Sequence, residues 1–197
     1  MKVCSFYTNE KYKLLAERMK ASAEKLGLSV HLEMYHEVEM WSHALRLKVL
    51  FIGSMLKSQK DDVLYLDADT WFERRPDILL NKSDFDVALG YVLPKHPLGC
   101  SMFFRNNAKV LALVDRWWEM FELYPGTRLD ETLLEYALDE GRRIGLLVKI
   151  LPPAYGWMKY MERRFPGAKP VIHHLGAGEG TDKMDVWAEP GSPYKTA

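Results

Sequence analysis

The run Val63-Leu64-Tyr65-Leu66 stops at two carboxylates, Asp67 and Asp69, with only Ala68 between them. An unbroken apolar stretch of β-formers reads as a strand covered on both faces, the setting of a parallel sheet flanked by helices. Residues i and i+2 of a strand point the same way, so the spacing predicts that Asp67 and Asp69 converge at the strand's C-terminal end. Open α/β sheets bind ligands at that edge. Two carboxylates held close raise each other's proton affinity unless a cation neutralises them. The usual counter-charge is a hard divalent ion whose shell is completed by phosphate oxygens. The pattern therefore points to a metal–diphosphate site. A lone Asp-x-Asp is common, and a strand-end aspartate more often caps a helix or closes a turn, so the rest of the chain must decide.

The rest of the chain alternates strand and helix. Lys2–Tyr7 reads as a strand, followed by a helix from about Lys11 to Leu26 that Thr8 or Asn9 caps and Gly27 stops. Ser29–Tyr35 reads as a second strand. Residues 41–58 carry helical spacing, with Trp41, Leu45, Val49, Ile52 and Leu56 on one apolar stripe. Phe85–Leu89 and Met102–Phe104 read as short strands around a Pro/Gly-rich loop, Pro94–Gly99. Helices are expected over Ala108–Leu123 and from Asp130 to about Glu140, with Trp117-Trp118 as core and rim. Ile144–Leu151 and Val171–His173 complete the strands. Repeated strand–helix units predict a single-domain α/β sandwich with a mostly parallel central sheet. The domain is expected over residues 1–188, with a loop-like tail over 189–197.

Lys plus Arg and Asp plus Glu balance at 27 each, so the chain offers no net basic field to nucleic acid or an anionic membrane. Nucleic acid is therefore not an expected partner, although a local patch can hide in a neutral total. Cys4 and Cys100 form neither a disulfide framework nor a CxxC metal pair. The chain enters a strand with no signal-peptide pattern, and no run is long and apolar enough to span a bilayer. A soluble, cytoplasmic protein is the expectation.

Two superfamilies place Asp-x-Asp at the end of such a strand. Haloacid-dehalogenase-type phosphohydrolases resemble Asp67-Ala68-Asp69, but carry Thr or Val where this chain has Trp71, and need a later Asp-Asp pair that is absent here. The fuller resemblance is to the glycogenin-type, family 8 group of GT-A nucleotide-sugar transferases. Its segments arrive in family order over nearly the whole chain: Tyr7-Thr8-Asn9-Glu10-Lys11-Tyr12, Leu47-Lys48, Leu66-Asp67-Ala68-Asp69-Thr70, Asp130-Glu131, Leu151-Pro152-Pro153-Ala154-Tyr155, and residues 168–176, which contain Val171-Ile172-His173-His174-Leu175-Gly176.

The resemblance implies a GT-A fold, a UDP-sugar donor and transfer with retention of configuration. It places Thr8, Asn9 and Tyr12 on the uracil and ribose, and Asp67 between ribose and metal. Asp67, Asp69 and His173 become the metal ligands, with Gly176 beside the diphosphate. An imidazole in an otherwise oxygen-rich shell favours Mn²⁺, with Mg²⁺ as the alternative. Adjacent strand residues face opposite ways, so His174 is the rival ligand. Lys48 and Lys183 are candidates to hold the phosphates. Asp130 is the candidate catalytic carboxylate on the sugar side, where it would stabilise oxocarbenium-like charge, or else it is a helix cap. The chain departs from the family in lacking its Asn-x-Gly segment near Leu98–Met102, in carrying Ala177–Lys183 where relatives have Lys-Pro-Trp, and in being shorter. The sugar and the acceptor therefore stay unidentified. The alternatives are a metal-dependent phosphohydrolase, a nucleotide-sugar binding module without turnover, and a transferase acting on modified bases in DNA.

Overall fold

Val63, Leu64, Tyr65 and Leu66 are all at most 2% exposed, and they divide by parity. Val63 and Tyr65 join Leu45, Val49, Ile52, Leu56 and Trp117 on one side, while Leu64 and Leu66 join Met19, Ala23 and Phe72 on the other. A strand with two dry faces forces a three-layer arrangement, and burying each such side chain contributes about 1.5–3 kcal/mol. The computed structural model describes residues 1–36, 41–81, 84–93, 95–125 and 129–175.

The elements run β1 (Lys2–Tyr7), α1 (Glu10–Glu24), β2 (Val30–Met34), α2 (Trp41–Ser58), β3 (Val63–Leu66), β4 (Thr70–Phe72), α3 (Asp77–Leu80), β5 (Val87–Leu93), β6 (His96–Phe104), α4 (Ala108–Leu123), α5 (Asp130–Arg143), β7 (Val148–Ile150), a 3-10 turn at Pro153–Gly156, α6 (Met161–Arg164) and β8 (Ile172–His174). The central sheet has the order β2-β1-β3-β6-β5-β7, and β6 alone runs antiparallel to its neighbours. This is the expected mostly parallel α/β sandwich. Helices α2, α4 and α5 cover one face and α1 the other, while β4 and β8 form a separate two-stranded ribbon packed on α1. Among the described residues no helix is long and apolar enough to cross a membrane.

Most elements fall where the spacing predicts, and the differences have local causes. Helix α1 is capped by Asn9, whose Oδ1 accepts the Tyr12 N–H at 3.0 Å. It stops at Glu24 rather than Leu26, because the exit turn reaches Gly27, whose φ of +74° an L side chain would resist. Residues 96–99, expected as loop, extend β6 and pair with β5 in an arm that overshoots β3. Pro97 is tolerated there because it sits opposite a bulge at Tyr91. The strand expected over Ile144–Leu151 shrinks to β7, since Gly145 (φ +84°) still belongs to the turn after α5. Trp117 is fully buried and Trp118 partly so, as core and rim require.

Candidate functional site

Strand β3 delivers the carboxylates to the C-terminal edge, but a turn rather than strand alternation brings them together. The strand ends at Leu66, and the Thr70 N–H and Oγ1–H both donate to the Asp67 carbonyl, at 3.1 and 2.8 Å. The Asp67 N–H is tied across to β6 through the Cys100 carbonyl at 2.9 Å. Strand β1 runs parallel to β3, so Thr8 and Asn9 leave the sheet at this same edge. Tyr12 lies one turn into α1.

The chain then re-enters the site through β8, paired antiparallel to β4 with Thr70 opposite His174 and Trp71 opposite His173. Alternation sends the two histidines to opposite sides. His174 faces the carboxylates, with Nε2 3.3 Å from Asp69 Oδ1. His173, expected as the metal ligand, lies instead on the indole of Trp71, ring centroids 4.1 Å apart, with the Arg18 guanidinium 3.6 Å from the indole centroid. The imidazole that completes the constellation is therefore His174. One donor atom each from Asp67, Asp69 and His174 lie within 4.8 Å of one another. Two carboxylates and an imidazole so close suit a divalent cation, which would relieve the repulsion between the aspartates. Burial disfavours the imidazolium of His174, but Asp69 and Cys100 together outweigh it and hold its pKa well above the usual histidine range. A bound cation would displace that proton.

Beside this cluster sits a second one, centred on Lys48 of α2. Its Nζ lies 3.0 Å from Asp130 Oδ2 and 3.4 Å from Asp67 Oδ1. Asp130 is the first residue of α5, is only 1% exposed, and is fixed through its carbonyl, which accepts the Trp117 indole N–H at 3.0 Å. The cap position belongs to Leu129, so Asp130 is not the N-cap. Burial opposes the Lys48 charge, yet Asp130 and Asp67 hold its pKa well above the usual lysine value, so it stays cationic. Glu131 leans over Gly99, where an added Cβ would meet Glu131 Oε1 at 3.1 Å and Lys48 Nζ at 3.3 Å. Burial and the neighbouring Asp130 push the Glu131 carboxyl up to about 8. Three carboxylates around one ammonium leave two negative charges in excess, and a proton on Glu131 removes one of them.

Spacing and resemblance singled out neither Tyr65 nor Cys100. The Tyr65 hydroxyl donates to Asp67 Oδ1 at 2.8 Å, and its burial and Asp67 keep it un-ionised. Both this bond and the Lys48 contact fall on Oδ1, which leaves Oδ2 for a ligand. The same i, i+2 alternation that was applied to the aspartates also pairs Tyr65 with Asp67. Gly176, Lys183 and the tail over 189–197 lie outside the described residues.

Compared with known proteins, the chain matches the model of the nucleotide-diphospho-sugar transferases over residues 12–186. No match to a curated protein sequence accompanies it. Among solved structures it resembles a glycosyltransferase involved in the glycosylation of the major capsid of PBCV-1. The TM-score is 0.71 at 13% identity, with 93% of this chain and 96% of that one covered. At such low identity the likeness speaks to fold, and it is a GT-A-type fold with the sheet described above. The chain belongs to the nucleotide-diphospho-sugar transferase family and is a glycosyltransferase.

Proposed function

We propose that this glycosyltransferase draws its sugar from a UDP-sugar in a Mn²⁺-dependent reaction, with Asp67, Asp69 and His174 as protein ligands to the ion. The observation that carries the reading is the convergence of those three donors at the sheet edge from which Thr8 and Asn9 depart. Bound there, a divalent ion supplies positive charge against the negative charge that grows on the leaving UDP. Lys48 and Tyr65 fix the Asp67 carboxylate, so its free oxygen is pre-aimed rather than ordered on binding. Thr8, Asn9 and Tyr12 are the nucleoside contacts of this proposal. Asn9 keeps its amide N–H₂ for the base or ribose, because its oxygen is spent on the helix cap. Asp130 stands on the sugar side to stabilise positive charge at the anomeric carbon, and its Oδ2 is fixed 3.0 Å from Lys48 Nζ. Gly176 and Lys183 remain the proposed diphosphate contacts. Retention of configuration rests on the family 8 resemblance, and Mg²⁺ is the alternative ion.

The test is UDP release from a panel of UDP-sugars, with Mn²⁺ and with chelator, beside Asp69→Asn. The expected result is slow Mn²⁺-dependent release from one donor, at least about a hundredfold lower in the variant, as loss of charge stabilisation at a leaving group implies. Release that survives chelator and Asp69→Asn unchanged would refute the metal centre. Absence of UDP binding altogether would refute the donor.

A further inference from the structure

Residues 157–169 carry four cations, Lys159, Arg163, Arg164 and Lys169, against the single anion Glu162, in a chain whose opposite charges are equal in number. The stretch is joined to the site at two points. The Trp157 carbonyl accepts the His174 N–H at 2.7 Å, and Trp157 flanks β8 on the side away from β4. Met161 is buried with Leu98, Cys100 and Trp157, and Met158 and Phe165 pack on the same cluster. The Cys100 carbonyl in turn holds the Asp67 N–H. Between these anchors the backbone makes one helical turn, with the Met161 N–H donating to Met158 and the Phe165 N–H to Met161. Positions three and four apart share a helix face, so Met158, Met161 and Phe165 turn inward while Tyr160, Arg163 and Arg164 share the outer face. Both arginines are exposed, and Tyr160 is 47% exposed. Arg46, Arg75, Arg116 and Arg142 each pair with a carboxylate. Arg163 and Arg164 pair with none among the described residues. We infer that this outer face of α6 binds the acceptor, and that the acceptor is a saccharide carrying a phosphate or carboxylate group away from the hydroxyl that reacts.

A guanidinium presents two N–H groups in a fork that matches a carboxylate or phosphate, and the Tyr160 ring offers a flat apolar face with a polar tip to a sugar beside it. Affinity taken from a part of the acceptor that does not react holds the reacting hydroxyl in place. The inference rests on the proposed site for where transfer occurs, and the two are tested apart. Isothermal titration calorimetry, without nucleotide or metal, measures maltotriose, phosphorylated maltotriose and trigalacturonic acid against the wild type, Arg163→Ala/Arg164→Ala and Arg163→Lys/Arg164→Lys. The anionic trisaccharides should bind the wild type at least about tenfold more tightly than maltotriose, as one charge-assisted hydrogen bond implies. The double alanine variant should lose that preference, and the double lysine variant should keep part of it, since an ammonium retains the charge without the fork. In the UDP-release assay the anionic trisaccharides should show the lower acceptor KM. Equal binding of all three by the wild type would overturn the inference, whatever the donor assay gives. A preference that survives the double alanine change would overturn it by placing the anion elsewhere. Loss of Mn²⁺-dependent UDP binding in that variant would overturn it by assigning the guanidinium groups to the donor's diphosphate. Binding to phosphatidylglycerol vesicles with none to the anionic trisaccharides would overturn it in favour of a membrane surface. Anion preference with no UDP release from any donor would leave the inference standing and bring down the UDP-sugar reading.

Discussion

Lys48 links the carboxylates of β3's end and α5, with Nζ 3.4 Å from Asp67 Oδ1 and 3.0 Å from Asp130 Oδ2. Its side chain is 7% exposed and faces Asp130, which is 1% exposed, and Asp67, so its buried charge is tolerable only because of these carboxylates. Removing one partner of such a buried pair costs about 3–5 kcal/mol, because the remaining charge is stranded in a poorly polarisable interior. Lys48→Met should therefore lower the unfolding free energy by about 3–5 kcal/mol, and adding Asp130→Asn should recover about half of that, as measured by urea denaturation. Strictly additive losses would show that the two side chains are not energetically coupled. In the sequence this lysine reads as a phosphate holder, because spacing along α2 gives its position on the helix but not the carboxylates opposite. Those carboxylates come from β3 and α5, and only tertiary packing brings them to the same ammonium. Glu131 was similarly hidden. Its adjacency to Asp130 is visible in the chain, whereas the burial that makes it keep a proton is not.

At the scale of elements, the β4–β8 ribbon decides which histidine faces the two aspartates. Alternation along β8 was legible, and it correctly separates His173 from His174. Which of the two faces inward was not, because that depends on the register against a three-residue strand about a hundred residues earlier. Strand β4 itself was not foreseen. Its three residues are too few to show a period, and Trp71 owes its place to His173 and Arg18, both packed on the indole. The geometry separates the two histidines experimentally. His174→Ala should weaken Mn²⁺ binding by at least about a hundredfold, more than the loss of an outer partner would. His173→Ala should leave the affinity within about threefold and instead lower the melting temperature, since it removes an aromatic contact of about 0.5–1.5 kcal/mol that joins β8 to β4. The reverse pattern in a Mn²⁺ titration would return the ligand role to His173.

The whole molecule was the easiest scale to read and the one that gives the site its stability. An apolar strand ending in acid, repeated strand–helix units and capped helices specify a buried parallel sheet, because few other arrangements cover both faces of β3. The antiparallel insertion of β6 and the overshooting arm were not legible, since Pro and Gly near Leu98 read as loop until a bulge accommodates them. The proposed metal site draws on β3 and β8, is braced by β6, and adjoins Lys48 of α2 and Asp130 of α5, so it is assembled only in the fully folded chain. A ligand bound there and absent from the unfolded state stabilises the fold by mass action, about 2.7 kcal/mol at a hundred times Kd. At about 2–4 °C per kcal/mol for a chain of this size, UDP with Mn²⁺ should raise the melting temperature by about 5–10 °C. Chelator should remove most of the shift, and Asp69→Asn should show almost none, because the aspartate lost is one of the three donors proposed to hold the ion. Scanning fluorimetry across UDP concentrations decides the matter. An equal shift in chelator would mean that the nucleotide is held by the protein's own groups, with the two aspartates serving the fold rather than the ion.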